Sequence, residues 1–307
     1  MLLDIFVNIT LPVFLLIGAG MLADRAFKLD LSTLSRLSFN VLLPALVFIK
    51  TLDANLSPAV FGGLALVNFA HMLLLLALSW AFFSLGNLKV HRPVATLAVV
   101  LPNVGNYGIP LAALAYGAVG ANVMAIIVML QMVFTITAGI WIVDSGRSNL
   151  REIALNFLKI PLLWAMLLAL VMLWLHIQVS AFIRTPTEYL ANGLVPVALV
   201  TLGAQLARSQ ALGNPRLLSM VMAFRLLLAP LLALGLVAAW QALGGADLGV
   251  AGPVMVIGAG MPVAVNVFIL AAEYHQDTRL ASQAIFWTTL ISVATLTGLL
   301  AIIRMLY

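Results

Sequence analysis

Cysteine is absent from the 307 residues, which excludes disulfides, thiol catalysis and thiolate metal sites. Charge is scarce as well. Asp, Glu, Lys and Arg make up 8% of the chain, against about 25% in an ordinary soluble domain. A chain of this length with so few ionic groups cannot surround one globular core with a wetted surface. It requires lipid as its solvent, and a mean hydropathy of +1.16 agrees. A basic n-region is missing too: the chain starts Met1-Leu2-Leu3-Asp4, and no small-residue cleavage site follows the first apolar stretch. Residues 5–23 are therefore read as a retained span and not as a removed signal peptide.

The same scarcity removes several kinds of chemistry. All ten acidic residues fall in connections or near the ends of apolar segments. No carboxylate pair lies at mid-membrane, where a sodium or proton antiporter would need one. Aspartyl proteolysis would need two aspartates in facing spans, and the HExxH metal motif is missing. Ser79 and Ser84 lack the glycine-flanked turn of a serine nucleophile. The sequence therefore points away from an enzyme, and it calls for no cofactor or metal. The net charge of +5 resides in short connections, where membrane orientation explains it better than nucleic acid does.

What is present is a series of long apolar runs. A span needs about 20 mostly apolar residues, and charged or turn-forming breaks divide the chain into ten. They lie near 5–23, 34–52, 60–85, 93–115, 122–143, 153–174, 188–207, 216–241, 250–272 and 280–303. The odd-numbered connections hold eleven Lys and Arg, among them Arg25, Lys28, Arg36, Arg208 and Arg279. The even-numbered ones hold Lys50 and Arg184, with Arg304 at the C-terminal end. Positive charge is retained on the cytoplasmic side. This predicts a multi-pass protein of the inner (plasma) membrane with both termini outside the cytoplasm.

The chain also repeats itself. Shifted by 152 residues, Asn40 and Pro44 fall on Asn192 and Pro196, and "GIPLAA" at 108–113 falls on "GMPVAV" at 260–265. An offset of five spans makes the two halves, 1–152 and 153–307, inverted copies. Inverted repeats with interrupted helices in matching positions point to a transporter's binding site. The fourth span carries "LPNVGNYGIPL" at 101–111 and the ninth "GAGMPVAVN" at 258–266. Proline removes a backbone bond and clashes with the preceding turn, so both spans should unwind near their middles. Lipid cannot solvate the freed groups, so such backbone must be buried in protein or line a wet cavity. If the two breaks meet, their half-helix N-termini direct unpaired N–H groups at one point, which favours an anion.

Individual residues keep two readings. Pro110 and Pro262 either mark the site or kink their helices for packing; for Pro12, Pro161 and Pro230 packing is the reading. Arg225, inside the eighth span, either draws an anion inward or extends to the cytoplasmic edge. Gln131 is either an interhelical hydrogen-bond donor or a site residue. His71 either titrates near neutrality or packs as a hydrogen-bonded histidine. Asn40 and Asn192 either patch the carbonyls freed by their prolines or touch substrate.

Three stretches carry a resemblance that runs across all ten spans: "NVLLPALVF" at 40–48, "PNVGNYGIPL" at 102–111 and "MPVAVNVFILAAEYHQDTRLAS" at 261–282. Through them the chain resembles the auxin efflux carrier family, including its bacterial branch of malate- and malonate-permease-like proteins. The resemblance implies an all-α integral membrane fold of two inverted five-helix repeats, like that of bile acid and sodium–proton transporters. It implies a scaffold from spans 1, 2, 6 and 7, and a transport domain from spans 3–5 and 8–10. The broken fourth and ninth helices would cross at Pro110 and Pro262, with Asn103, Asn106, Tyr107 and Asn266 beside them. An elevator-like movement and a homodimer are implied as well. One departure is the short "DSGRSNLRE" at 144–152, where plant auxin carriers often have a long regulatory loop; this favours the prokaryotic branch and leaves auxin doubtful as substrate.

The expectation is thus a secondary carrier of small organic anions, its partners being the substrate and the bilayer. The expected substrate-binding residues are Asn103, Asn106, Tyr107, Gly108, Pro110, Gln131, Arg225, Gly260, Pro262 and Asn266. The alternative is an anion channel using the same half-helix site.

Overall fold

The computed structural model describes residues 2–53, 57–143, 161–208 and 214–307. The connection expected at 144–152, the sixth span as far as residue 160 and most of the connection at 208–216 lie outside them. The described residues form helices joined by turns, with one isolated bridge and no strand. In chain order the helices are α1 (Leu3–Phe27), α2 (Leu31–Leu52), α3 (Pro58–Phe83), α4 (Arg92–Val100) and α5 (Val104–Val143). There follow α6 (Pro161–Trp174), α7 (Ala181–Ala207), α8 (Pro215–Ala242), α9 (Ala251–Ala259), α10 (Asn266–Glu273) and α11 (Thr278–Leu306).

Seven of these, α1, α2, α3, α5, α7, α8 and α11, are long and apolar enough to cross a membrane by length and composition. Ten spans were expected; of the three not among the seven, the sixth begins outside the described residues and the other two are interrupted. The segment expected at 93–115 is interrupted after α4, and the one at 250–272 is divided into α9 and α10, so no single piece is long enough. The segments expected on either side of residue 118 run on within α5. That helix bends at Tyr116–Gly117, where Gly117 adopts φ 64° and ψ −152°, a region glycine enters without penalty.

Prolines explain much of the helix geometry. Five-residue π-helical turns cover Phe6–Thr10, Ser38–Leu42, Val104–Gly108 and Phe224–Leu228, and each ends two residues before a proline: Pro12, Pro44, Pro110 and Pro230. A proline leaves an upstream carbonyl without its N–H and its ring presses on the preceding turn. Widening that turn by one residue relieves both, so the helix continues. Pro196 is carried inside α7 with no break.

The outward faces are apolar. Leu15, Leu66 and Leu231 are each at least 60% exposed, as lipid-facing side chains must be. Inside, α7 lies along α1 at unusually short range. A Cβ on Gly20 would run into the Val200 backbone, and one on Gly203 into the Ile17 backbone. Small residues permit this approach, which substitutes for the hydrophobic drive that lipid does not supply. α2 packs against both α6 and α7. Ion pairs close the ends of the helices: Arg208 holds Asp24 at 2.6 Å, Arg184 holds Asp53 at 2.8 Å, and Arg304 holds Asp4 at 3.1 Å. Asp30 caps α2 by accepting from the Thr33 hydroxyl at 2.6 Å and from the Ser32 and Thr33 amides. The Thr33 hydroxyl chiefly holds this carboxyl below its ordinary value. The cap is therefore in place above the ordinary aspartate range and is lost as pH falls through the lowered value.

Candidate functional site

The two interruptions meet. Between α4 and α5 the chain is non-helical at Leu101–Asn103, with Leu101 extended, and between α9 and α10 it is non-helical at Gly260–Val265. Pro102 pairs antiparallel with Val263. The Asn103 amide donates to the Pro262 carbonyl at 2.7 Å, and the Ala264 amide donates to the Leu101 carbonyl at 2.9 Å. Thr288 of α11 accepts from the Val263 amide at 3.0 Å, and the Gln131 side chain of α5 donates to the Pro102 carbonyl at 2.8 Å. The freed backbone is thus buried in protein and largely bonded, as a broken membrane helix requires.

The register differs from the one the repeated sequence suggested. The two bonds are related by a shift of 161 residues, 101 to 262 and 103 to 264, and not by 152. Pro102 and Pro262 occupy the breaks. Pro110 sits beyond its own π turn, in the first turn of regular helix. Its agreement with Pro262 in the repeat does not correspond to the way the breaks pair.

Past the pairing, the start of α5 keeps free donors. The Val104 and Gly108 amides bond back to Pro102 and Asn103. The amides of Gly105, Asn106 and Tyr107 have no backbone acceptor among the described hydrogen bonds. Beside them lies a small cavity of about 30 Å³ lined by Asn103, Asn106, Gln131, Asn266 and Thr135, with Phe39 and Val265 at its edge. It has room for about two water molecules. Asn103 and Gln131 are 4% and 6% exposed, and each carries a buried atom with no hydrogen-bond partner, Nδ2 of Asn103 and Oε1 of Gln131. Unpaired buried polar groups cost roughly 1–3 kcal/mol each, so each calls for a partner in the cavity, a water or a ligand.

Of the expected site residues, Asn103, Asn106, Gln131 and Asn266 come together around this cavity. The others do not line it. The Tyr107 ring is fully buried against Phe14, with its hydroxyl 3.5 Å from Ser292. Gly108 faces Met124, and Gly260 packs against Leu299. Pro262 contributes through its carbonyl, which Asn103 uses. Arg225 neither extends to an edge nor reaches the cavity. It is fully buried, and its guanidinium donates to the carbonyls of Val99 and Ala259, at the last turns of α4 and α9. A helix C-terminus carries about −0.5 of a charge, so one guanidinium offsets two. His71 bonds the Ala229 carbonyl at 2.9 Å, as a packing histidine does. Asn40 donates to the Arg36 carbonyl at 3.0 Å, a turn before the carbonyl that Pro44 frees.

Sequence reading missed Thr135, Thr288 and Phe39. Thr135 lies one turn after Gln131 on the same helix face, a spacing that could have found it. Phe39 and Val265 also line a second, larger cavity of about 730 Å³, and so form the partition between the two. One wall of this vestibule comes from α2 and the end of α7, including Arg36 and Gln205; the other comes from α10 and α11, including Phe268 and Arg279.

With this geometry in view, the chain compares as follows. Residues 5–300 match the family described as "Membrane transport protein", which is the auxin efflux carrier family. The chain belongs to this family. Among relatives, the transporter is 28% identical over 315 residues to a "Putative malonate transporter" of Rhizobium meliloti (strain 1021), covering 97% of this chain and 95% of the relative. It is 29% identical over 278 residues to an "Uncharacterized transporter" of Methanothermobacter thermautotrophicus, covering 87% of each. The chain is thus an all-helical, multi-pass membrane transporter.

Proposed function

We propose that this transporter is a secondary carrier of small organic anions, with malonate-like carboxylates as substrates. The carboxylate is held where the two interrupted helices pair. The observation that carries this reading is the cluster of unsatisfied donors beside that pairing, the Gly105–Tyr107 amides and the Asn103 amide group, around a cavity that no charged side chain lines. Donors without an opposing carboxylate hold an anion by hydrogen bonds and helix partial charge. The relative named "Putative malonate transporter" supports the substrate class.

The architecture in this reading is ten spans in two inverted five-helix repeats, with α1, α2, α6 and α7 as scaffold. The close packing of α7 on α1 and of α6 on α2 supports that grouping. α3–α5 and α8–α11 form the transport domain, which moves elevator-fashion along the seam containing the vestibule. The basic connections beside Arg36, Arg208 and Arg279 face the cytoplasm by charge, so the vestibule is the inner access path and both termini lie outside. A homodimer completes the assembly. A site cavity of this size separated from the vestibule by Phe39 and Val265 favours a carrier over an open channel.

The test is uptake of labelled malonate by proteoliposomes containing the purified protein. The reading expects saturable uptake with counterflow, and a drop of roughly tenfold to a hundredfold in apparent affinity for Asn103→Ala or Asn106→Ala, since hydrogen bonds to charged groups contribute about 1.5–3 kcal/mol. Unaltered transport by both folded variants would remove the site from the mechanism.

A further inference from the structure

Resting on that reading of the cavity, the side chain of Gln131 narrows the substrate further. Its amide nitrogen donates to the Pro102 carbonyl at 2.8 Å. A carbonyl only accepts, so this contact fixes which end of the amide points where. The other end, Oε1, is an acceptor, is buried and has no partner. Thr135 cannot supply a proton to it, because its hydroxyl already donates to the Gln131 main-chain carbonyl at 2.9 Å. Among its buried side-chain atoms the cavity therefore presents an unpaired donor, Asn103 Nδ2, and an unpaired acceptor, Gln131 Oε1. A carboxylate satisfies the donor and leaves Oε1 facing a second acceptor. We infer that the substrate carries an O–H donor beside its carboxylate, and that Gln131 reads it. A protonated second carboxyl, as in the hydrogen malonate monoanion, and an alcohol hydroxyl, as in a 2-hydroxy acid, both supply this chemistry. A site built to bond a substrate hydroxyl rejects the analogue that lacks it, because its own buried polar group is then left unpaired.

The consequence for malonate is that it binds as the singly charged species and carries its own proton. None of the residues lining the cavity is ionisable, and the ionisable groups of the adjoining vestibule, Arg36, Arg208 and Arg279, are arginines, a side chain that remains cationic over any practicable range. A pH dependence of binding thus reports the ligand.

The experiment is equilibrium binding to the purified full-length protein with ligand pairs in which methylation removes the donor from one member. The pairs are lactate against its O-methyl ether, and malonate against its monomethyl ester, each at pH 5 and pH 8. The unaltered protein is expected to prefer lactate over its ether at both pH values, or malonate over its ester at pH 5, by about tenfold or more, and Gln131→Leu is expected to bind both members alike. Malonate binding that strengthens at pH 5 while lactate binding does not assigns the donor to the protonated carboxyl. Lactate preferred over its ether, with malonate insensitive to pH, assigns it to an alcohol hydroxyl. Equal binding of both members of both pairs overturns the inference and leaves the carboxylate site standing. Failure of every carboxylate to bind overturns the site together with the inference. The ligand pairs decide the matter on the unaltered protein even if Gln131→Leu does not fold.

Discussion

Arg225 is the largest fully buried side chain of the structure, and its cost at depth is offset by two helix ends. Removing it leaves the last carbonyls of α4 and α9 facing each other without a cation. Two hydrogen bonds to a charged group contribute about 3 kcal/mol or more together, so Arg225→Leu should lower the melting temperature in detergent by several degrees. Arg225→Lys should fall between, because an ammonium keeps the charge but cannot fork across two carbonyls. A leucine variant as stable as the parent would contradict this role. This use of Arg225 was not legible in the sequence: its acceptors lie 126 and 34 residues away, and only the pairing of the breaks brings them together. The place of Asn103 and Asn106 beside the break was legible, because bare amides next to glycine and proline in an apolar run either satisfy freed backbone groups or bond a ligand.

At the level of elements, the interruptions could be anticipated but their register could not. A proline's effect depends on whether the preceding turn can widen to absorb it. The Val104–Gly108 π turn does so for Pro110, whereas Pro102 is bonded across to the second break. Both prolines look alike in the sequence. The limit between the fourth and fifth expected segments was blurred for a related reason, since α5 bends at Gly117 without ending. The seam between α1 and α7 depends on Gly20 and Gly203, where any Cβ meets opposing backbone that cannot rotate away. Overpacking of this kind costs roughly 1–3 kcal/mol. Gly203→Val is therefore expected to unfold at lower temperature than the parent, while Gly18→Val, with open space around the glycine, should not. Equal melting temperatures for the two would show that the helices do not approach this closely.

At the scale of the whole molecule, a wide basic vestibule adjoins a narrow neutral site. In the proposed function the arginines of the vestibule would raise the local concentration of anions, and the amides beyond Phe39 and Val265 would select among them. Exporting a single negative charge from a cell with a negative interior gains about 2.3 kcal/mol per 100 mV, so a carrier of this kind needs no coupling ion for efflux. The vestibule itself was not legible in the sequence, because its walls come from four helices that only the folded chain aligns. What decides between vestibule and cavity as the place of binding is where the ligand rests. The most direct measurement is a cryo-EM map of the transporter with malonate bound. The account predicts carboxylate density within hydrogen-bond reach of the Gly105–Tyr107 amides and of Asn103. Density confined to the vestibule beside Arg36 and Arg279, with those amides untouched, would contradict it.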